Sequence, residues 1–256
     1  MIRLDKVTFT HSQNKKPIFE DFNWEIKRSE RWVVLGPSGC GKTTLLYMLA
    51  GILFPQNGLI LFDGTQISRP RPESGLILQD YGLLPWATVR ENCALGLKIR
   101  KLYGADGVHA PRGDYKSGKE GIWLKRLGLV EFEDKYPHQL SGGQRQRTAI
   151  ARTLVLRPDL LLMDEPFSSL DVQSRESLQD LTLSLLAEFG MTLILVTHSI
   201  EEAATMGEKI LILKEPPNME AFIVDNPITC KDNYRNSISF KDTCNNLRLM
   251  LGISNL

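Results

Sequence analysis

Two glycine-containing segments hold the residues best suited to chemistry. The first reads Gly-Pro-Ser-Gly-Cys-Gly-Lys-Thr, from Gly36 to Thr43. Its glycines let successive backbone N–H groups face one anion, and a following helix N-terminus adds about half a unit of positive charge. Lys42 would meet the β- and γ-phosphates of a nucleotide, and Thr43 would offer its hydroxyl to Mg²⁺. The candidate phosphate-binding residues are Gly36, Pro37, Ser38, Gly39, Cys40, Gly41, Lys42, Thr43 and Thr44.

The segment could be a phosphate-binding loop or only a glycine-rich turn ahead of an ordinary helix, and the flanking sequence distinguishes the two. Arg31–Leu35 is a short apolar run that predicts a buried strand, and residues 44–50 are leucine-rich and predict a helix. A phosphate-binding loop needs a strand before it and a helix after it. The context therefore favours a nucleotide site.

The second segment reads Leu-Ser-Gly-Gly-Gln, from Leu140 to Gln144. It precedes a predicted helix over residues 144–156, which stops before Pro158 because the residue before a proline avoids the helical region. Many ATPases carry the upstream loop, and very few carry both segments.

A pair of acids follows another apolar run, Leu160–Met163. A P-loop fold needs an acid near its metal at this place. Asp164 would hold the Mg²⁺ shell, and Glu165 would orient or deprotonate the attacking water. A single acid could be an ordinary solvated strand end, but a pair after four apolar residues favours function.

Two further polar residues follow predicted strands. His198 ends the run Leu193–Thr197, and its imidazole would contact the γ-phosphate; the alternative is a structural histidine. Gln79 follows Leu76–Leu78, and its amide would meet Mg²⁺ or the water and sense the γ-phosphate. Without the other motifs, Gln79 would be read as a surface glutamine.

Bulk properties limit the classes of function. The 256 residues carry a formal net charge of +1, which excludes a strong general attraction to nucleic acid or an anionic membrane. There is no apolar run of the roughly 18 residues that a membrane helix needs, and the charges among the first ten residues argue against a secretory signal. We expect a soluble, cytoplasmic chain. Its cysteines, Cys40, Cys93, Cys230 and Cys244, are scattered, so neither a zinc site nor a disulfide is expected.

The order of elements predicts the architecture. Strands alternate with helices over residues 160–213, which predicts a parallel sheet. Residues 22–27 alternate apolar and polar, and residues 59–62 lead into the turn Asp63-Gly64, so an antiparallel flank precedes that core. Residues 88–139 read as helical around a mobile polar loop at 100–121. After residue 214 the periodicity fades, except for one possible helical face formed by Phe240, Cys244, Leu247 and Leu251.

Taken in order, these motifs resemble the ATP-binding subunit of an ATP-binding cassette (ABC) transporter over residues 1–214. The resemblance implies an α/β P-loop NTPase core with a parallel sheet, an N-terminal antiparallel β subdomain and an inserted α-helical subdomain at about 88–156. Residues 215–256 would be a short accessory segment. ATP and Mg²⁺ would be the cofactors, with Thr43, Gln79 and Asp164 at the metal.

The same resemblance implies a head-to-tail homodimer. Ser141, Gly142, Gly143 and Gln144, with the following helix N-terminus, would close over the γ-phosphate held by the partner's phosphate-binding loop. Asp171, in the matching run Ser168-Ser169-Leu170-Asp171, would lie across the dimer seam and help to place the water. Neither half-site would be complete in one chain.

A finer resemblance lies in Gln79–Trp86 and the following Thr88–Asn92, which are similar to the nitrate, sulfonate and taurine importer branch. It implies integral membrane permease subunits, an extracytoplasmic substrate-binding protein, no nucleic-acid partner, and a peripheral position on the cytoplasmic face of the membrane. Leu83, Leu84 and Trp86 would contact the permease. Ordinary core packing is the alternative for them.

Two features depart from the family pattern. Alignment of the first strand puts His11 where an aromatic residue stacks on adenine, with Phe9 as the alternative. The polar run at 100–121 and the short tail also differ from the branch.

Other functions stay open at this point. An exporter or extrusion ATPase is opposed only by the Leu-Pro-Trp stretch at 84–86. A cassette ATPase of translation or DNA repair would carry tandem cassettes or long insertions. A P-loop kinase or GTPase has no use for Leu140–Gln144, and the chain shows no obvious Asn-Lys-x-Asp motif.

Overall fold

A computed structural model describes residues 1–11, 16–112, 119–226 and 234–252. The chain divides into two compact units, one formed by residues 1–70 with 192–256 and the other by residues 71–191. In chain order the elements are β1 (Ile2–Phe9), β2 (Phe19–Ile26), β3 (Arg31–Leu35), α1 (Lys42–Leu49), β4 (Asn57–Phe62), β5 (Thr65–Gln66), β6 (Ser74–Ile77), α2 (Val89–Tyr103), α3 (Glu120–Arg126), α4 (Gly142–Leu154), β7 (Leu160–Asp164), α5 (Val172–Phe189), β8 (Thr192–Thr197), α6 (Ile200–Met206), β9 (Lys209–Ile212), β10 (Phe222–Asp225) and α7 (Ile238–Met250).

The predicted antiparallel flank is present in the first unit. Its strands follow the order β2-β1-β4-β5. On β2, Phe22, Trp24 and Ile26 are buried in alternation with exposed residues, as the sequence pattern indicated. Asp63 and Gly64 both have positive φ, at 47° and 78°, which suits the tight hairpin between β4 and β5.

The strand before the phosphate-binding loop lies inside a parallel arrangement. β3 pairs in parallel with β8 on one side and β9 on the other. All five residues of β3 are buried. An unbroken apolar run suits such a strand because parallel strands are covered on both faces. The loop is thus anchored to a strand that is buried along its whole length.

The C-terminal segment belongs to the first unit. β10 pairs antiparallel with β9, with Phe222 opposite Ile212. α7 buries Cys244 and Leu247, in agreement with the predicted helical face, and Arg248 forms a 2.6 Å ion pair with Glu201 of α6. The sequence pattern did not predict β10.

The second unit holds β6 and β7, which pair in parallel, and its described residues include the helices α2, α3, α4 and α5. α2 begins with a capping box in which the Thr88 side chain accepts from the Glu91 N–H and the Glu91 carboxylate accepts from the Thr88 N–H. α5 extends from Val172 to Phe189 and begins at the N-cap Asp171. The proposed division at 1–214 and 215–256 stays a prediction.

The predicted polar loop at 100–121 is wrong at both ends. α2 continues to Tyr103 and α3 starts at Glu120. Arg100 is buried and donates to the carbonyls of Leu156 and Pro72 at 2.8 and 2.6 Å. The guanidinium is satisfied by these distant carbonyls, which a local reading of polarity does not anticipate. Residues 113–118 lie outside the described ranges.

Among the described residues, no helix is both long enough and apolar enough to cross a membrane. Cys40, Cys93 and Cys244 are buried free thiols, and burial raises the pKa of Cys93 to about 12. Cys230 falls outside the described ranges.

Candidate nucleotide site

The loop from Gly36 to Thr43 leads from the end of β3 into α1. Gly41 has φ +108°, and a Cβ there would lie 2.4 Å from Ile18 Cγ2, so only glycine fits this position. A Cβ at Gly36 would lie 2.6 Å from the Leu213 carbonyl oxygen. The loop is therefore packed closely against Ile18 and Leu213 and requires glycine at both positions.

Lys42 occupies the first position of α1 and is buried. Its Nζ donates to the carbonyl oxygens of Gly36 and Pro37, each at 2.9 Å. An ammonium held only by neutral carbonyls in these two bonds suits exchange for phosphate oxygens, which carry negative charge. Pro37, Ser38, Gly39 and Thr43 are exposed, whereas Cys40 and Thr44 are buried.

The first strand ends beside α1. The exposed His11 lies with its Nε2 3.2 Å from Thr44 Oγ1. Phe9 packs edge-on to the His11 ring, with ring centroids 5.0 Å apart, and is only 5% exposed. Of the two aromatic candidates, His11 alone offers an exposed ring.

His198 is exposed directly after β8. Two hydrogen bonds of the preceding residue stabilise the turn that carries His198. Thr197 Oγ1 donates to Glu202 at 2.7 Å and accepts from the Ser199 N–H at 3.0 Å. Glu202 is 3% exposed and was not singled out by its sequence context. Its position within the first turn of α6 is the only sequence signal.

In the second unit, the acidic pair ends β7. Asp164 is buried, and Glu165 is half-buried with φ +44°, a backbone conformation rarely adopted outside glycine. Gln79 Nε2 lies 3.5 Å from Glu165 Oε2. The structure therefore brings together the carboxylate and the amide that the sequence placed after separate strands.

The Leu140–Gln144 segment forms the start of α4. Ser141 is its N-cap: the hydroxyl accepts from the Gln144 N–H at 3.3 Å, and Gln144 Oε1 accepts from the Ser141 N–H at 2.9 Å. The helix begins at Gly142 rather than at the predicted Gln144, because this capping box recruits the glycines into the first turn. It ends at Leu154, ahead of the predicted Leu156.

Asp171 is the N-cap of α5. Its carboxylate accepts from the Ser174 N–H at 2.9 Å, and this hydrogen bond lowers the pKa of Asp171. The side chain is exposed. The residue thus has a structural role in its own chain beside any role across a dimer seam.

Tyr81 is a residue that sequence reasoning missed as part of this loop network. It has φ +67° and is buried. Its hydroxyl is hydrogen-bonded to Ser169, and its carbonyl accepts from Arg152 of α4 at 2.9 Å. Its position two residues after Gln79 was visible, but its partners were not.

The stretch after Gln79 separates into two environments. Trp86 is 73% exposed, so core packing is wrong for this side chain. Leu83 and Leu84 are half-buried, and Asn92 fixes the Leu84 backbone through hydrogen bonds of 2.8 and 3.2 Å. An exposed tryptophan is thus presented on a fixed loop.

The predicted site residues fall in both units. Those of the first unit are His11, Gly36–Thr44 and His198, and those of the second are Gln79, Ser141–Gln144, Asp164, Glu165 and Asp171. A strand–loop–helix with a buried lysine, together with an acidic pair ending another parallel strand, defines a P-loop nucleotide-hydrolysing protein.

Comparison with known families shows to which family of P-loop proteins the chain belongs. Residues 19–168 match the ABC transporter family, and the chain belongs to this family. It is an ATP-hydrolysing, ATP-binding subunit of an ABC transporter, as the sequence motifs predicted.

Two similar proteins are taurine import ATP-binding proteins. The chain is 44% identical to TauB of Escherichia coli K12 over 205 residues, which cover 79% of this chain and 76% of the relative. It is 43% identical to TauB of Pelagibacter ubique over 198 residues, which cover 77% and 71%. The predicted branch of the family is confirmed by this similarity.

Solved cassettes share the fold. A dimeric post-hydrolysis structure of the ATP-binding cassette MJ0796 with ADP and Pi has 31% identity and a TM-score of 0.72, and covers 88% of this chain and 98% of that one. A second is cbiO1 of Clostridium perfringens, part of the cbiONQ ABC transporter complex, with 27% identity, a TM-score of 0.73 and coverage of 98% and 95%. The predicted α/β P-loop fold is confirmed.

Proposed function

We propose that this subunit powers import of a small sulfonate such as taurine. Two copies would sandwich two ATP molecules, and their closure and release would drive membrane permease subunits fed by an extracytoplasmic binding protein. The observation that carries the proposal is the similarity to TauB over most of the chain, together with the exposed Trp86 on the loop after Gln79.

The phosphate-binding loop supplies the binding of the ATP phosphates. Lys42 exchanges the carbonyls of Gly36 and Pro37 for β- and γ-phosphate oxygens, and the N-terminus of α1 adds its partial positive charge. The positive φ of Gly41 and its tight packing against Ile18 support this role, because they fix the backbone of the loop in one conformation. The residues proposed to surround the phosphates are Gly36, Pro37, Ser38, Gly39, Cys40, Gly41, Lys42, Thr43 and Thr44.

Oxygen ligands for Mg²⁺ come from three side chains: Thr43, Gln79 and Asp164. These are hydroxyl, amide and carboxylate oxygens, the ligand types that this hard cation prefers. Bound Mg²⁺ would neutralise charge on the β- and γ-phosphate oxygens. Asp164 is buried at the end of β7, where its position is fixed by the strand.

Glu165 is the proposed general base. It would accept the proton of the attacking water, while Gln79 orients the same water and His198 donates a hydrogen bond to the γ-phosphate. The positive φ of Glu165 supports a functional role, because strained backbone is retained at active sites where the conformation serves the chemistry. The 3.5 Å approach of Gln79 fits a shared water.

The start of α4 is the proposed second anion site. Ser141, Gly142, Gly143 and Gln144 would close over the γ-phosphate bound by the partner copy. The capping box presents the exposed Ser141 at a helix N-terminus, where anions are stabilised. Asp171 would lie at the seam. The dimeric form of the similar cassette supports this arrangement.

Two further contacts are proposed, one with the adenine base and one with the permease. His11 would stack on adenine in preference to the buried Phe9. Trp86, with Leu83 and Leu84, would contact the permease, which would hold the subunit on the cytoplasmic face of the membrane. Trp is enriched among residues that dominate protein interfaces.

The test is taurine uptake in a bacterial strain that lacks its own taurine import ATP-binding protein. Expression of this chain is expected to restore ATP-dependent uptake of radiolabelled taurine, and expression of Glu165→Gln is not. The Escherichia coli TauB is the positive control. Failure of the wild-type chain beside an active control would contradict the proposal that it drives a taurine permease, and efflux of preloaded taurine would indicate export.

A further inference from the structure

Asn218 is a buried amide in the segment between β9 and β10. Its Nδ2 donates to the Cys40 carbonyl at 3.0 Å and to the Ile18 carbonyl at 3.3 Å, and its Oδ1 accepts from the Lys214 N–H at 2.9 Å. An asparagine side chain has two N–H donors and one carbonyl acceptor. All three groups of Asn218 are in use, and one bond goes directly to the phosphate-binding loop.

The backbone of Asn218 is fixed as well. Its N–H donates to the Ile18 carbonyl at 2.9 Å, and its carbonyl accepts from the Glu20 N–H at 3.1 Å. Ile18 is the residue whose Cγ2 would clash with a Cβ on Gly41. The segment that carries Asn218 is therefore tied to the same short stretch that supports the loop.

The bond to Cys40 controls the orientation of one peptide group. In a planar trans peptide the Cys40 carbonyl and the Gly41 N–H point in opposite directions. Because the carbonyl is held by a buried amide, the Gly41 N–H points away from Asn218. Glycine has the conformational freedom to let this peptide turn over. Such a turn would replace an N–H donor by a carbonyl that repels phosphate.

We propose that Asn218 is a positioning residue for ATP binding, which holds the Cys40–Gly41 peptide with its N–H toward the phosphates. This inference rests on the proposed role of the loop from Gly36 to Thr43. It gives the C-terminal segment a function in nucleotide affinity. Neither the loop motif nor the family similarity assigns one to it, since the family match ends at residue 168.

Asn226 is a matched control in the same segment. It is also buried, its Nδ2 donates to the carbonyls of Ala204 and Gly207 at 2.9 Å each, and its Oδ1 accepts from the Tyr234 hydroxyl. Two of its partners lie at the end of α6 and the third is Tyr234, so none belongs to the phosphate-binding loop. Replacement of either asparagine by alanine leaves buried carbonyls unsatisfied, so both variants are expected to lose stability.

The experiment compares Asn218→Ala with Asn226→Ala in the full chain. Calorimetry measures the Kd for ATP, thermal unfolding measures stability, and steady-state kinetics separate kcat from KM. Asn218→Ala is expected to raise the Kd and the KM for ATP about tenfold, the effect of one lost hydrogen bond to a charged group. The Asn218–Cys40 hydrogen bond would stabilise bound ATP equally in the ground state and the transition state. The kcat at saturating ATP is therefore expected to change less than the KM. Asn226→Ala is expected to keep the Kd within about twofold despite its lower melting temperature.

Equal Kd values for Asn218→Ala and the wild type, or an equal rise in both alanine variants, would overturn the inference. Asn218→Ser keeps one hydrogen-bond donor and is expected to give a Kd between those of the wild type and Asn218→Ala. If Asn218→Ala does not fold, Asn218→Ser replaces it in the comparison. A wild-type Kd for Asn218→Ser would then contradict the inference. Lys42→Ala tests the loop separately. If Lys42→Ala loses ATP binding and the Asn218 variants do not, only the role of Asn218 fails; if Lys42→Ala binds normally, the proposed function of the loop fails.

Discussion

Tyr81 and Ser169, in the loops that follow β6 and β7, are joined by a hydrogen bond between their side-chain hydroxyls. The same two loops carry Gln79 and Glu165, whose side chains approach to 3.5 Å. The Arg145 guanidinium of α4 lies 5.9 Å from the centre of the Tyr81 ring. Tyr81 therefore links three functional segments within one unit.

Removal of this hydroxyl tests that link. Tyr81→Phe and Ser169→Ala are each expected to lower the free energy of unfolding by about 1 kcal/mol, the usual net value of one hydrogen bond. Because each variant breaks the same bond, the double variant should lose less than the sum. Urea denaturation of the four proteins measures the coupling, and strictly additive losses would show that the bond contributes nothing.

Glu165→Gln is expected to slow ATP hydrolysis by roughly 10²–10⁴-fold, the range for loss of a general base. ATP-dependent dimerisation should persist, because glutamine keeps the shape of the side chain. Phosphate release and size-exclusion chromatography with ATP measure the two effects. The exposed Glu176 of α5 provides the control, since Glu176→Gln should change turnover by no more than about twofold. Near-normal turnover of Glu165→Gln would remove Glu165 from the role of base.

Ser141→Arg is expected to abolish turnover while ATP binding to the same chain stays intact, because the proposed anion site at Ser141 would serve the partner copy. Lys42→Ala should show the opposite defect. A mixture of the two inactive variants forms some dimers with one intact site, and its turnover should exceed the sum of the separate rates.

The shared site also predicts that specific activity rises with protein concentration. Full activity of a monomeric chain in dilute solution would contradict the head-to-tail arrangement. An unchanged ATP affinity of Ser141→Arg, measured by calorimetry, is the accompanying control.

Trp86→Ala is expected to weaken the complex with the permease by at least about tenfold, as for an exposed interface tryptophan that becomes buried on binding. The melting temperature of the isolated subunit should not change, because the side chain is 73% exposed. Ile122→Ala, at a side chain 56% exposed on α3, is the matched control for loss of a surface hydrophobic group. Pull-down with permease in detergent measures both, and equal binding by the two variants would remove Trp86 from the interface.

The sequence predicted most elements because their signals are local. The apolar run Arg31–Leu35 predicts β3, and the turn Asp63-Gly64 predicts the hairpin between β4 and β5. Motif spacing likewise predicted that acids and amides follow parallel strands. The fold class and the family required no more than these short patterns.

What the sequence did not predict depends on contacts between distant residues. Arg100 reads as the start of a polar loop until its two carbonyl partners are seen, 28 and 56 residues away. Asn218 lies 178 residues from Cys40 and sits in a stretch without periodicity. A polar side chain that is satisfied by remote backbone leaves no local pattern, so its importance is visible only in the fold.

The pairing of β3 with β8 and β9 has a consequence for synthesis of the chain. The second unit is one continuous stretch, residues 71–191, whereas the first is completed only by residues 192–256. β3 leaves the ribosome early but has neither parallel neighbour until residues 192–212 follow. The strand that leads into the phosphate-binding loop therefore gains its parallel partners only after the whole second unit has been synthesised.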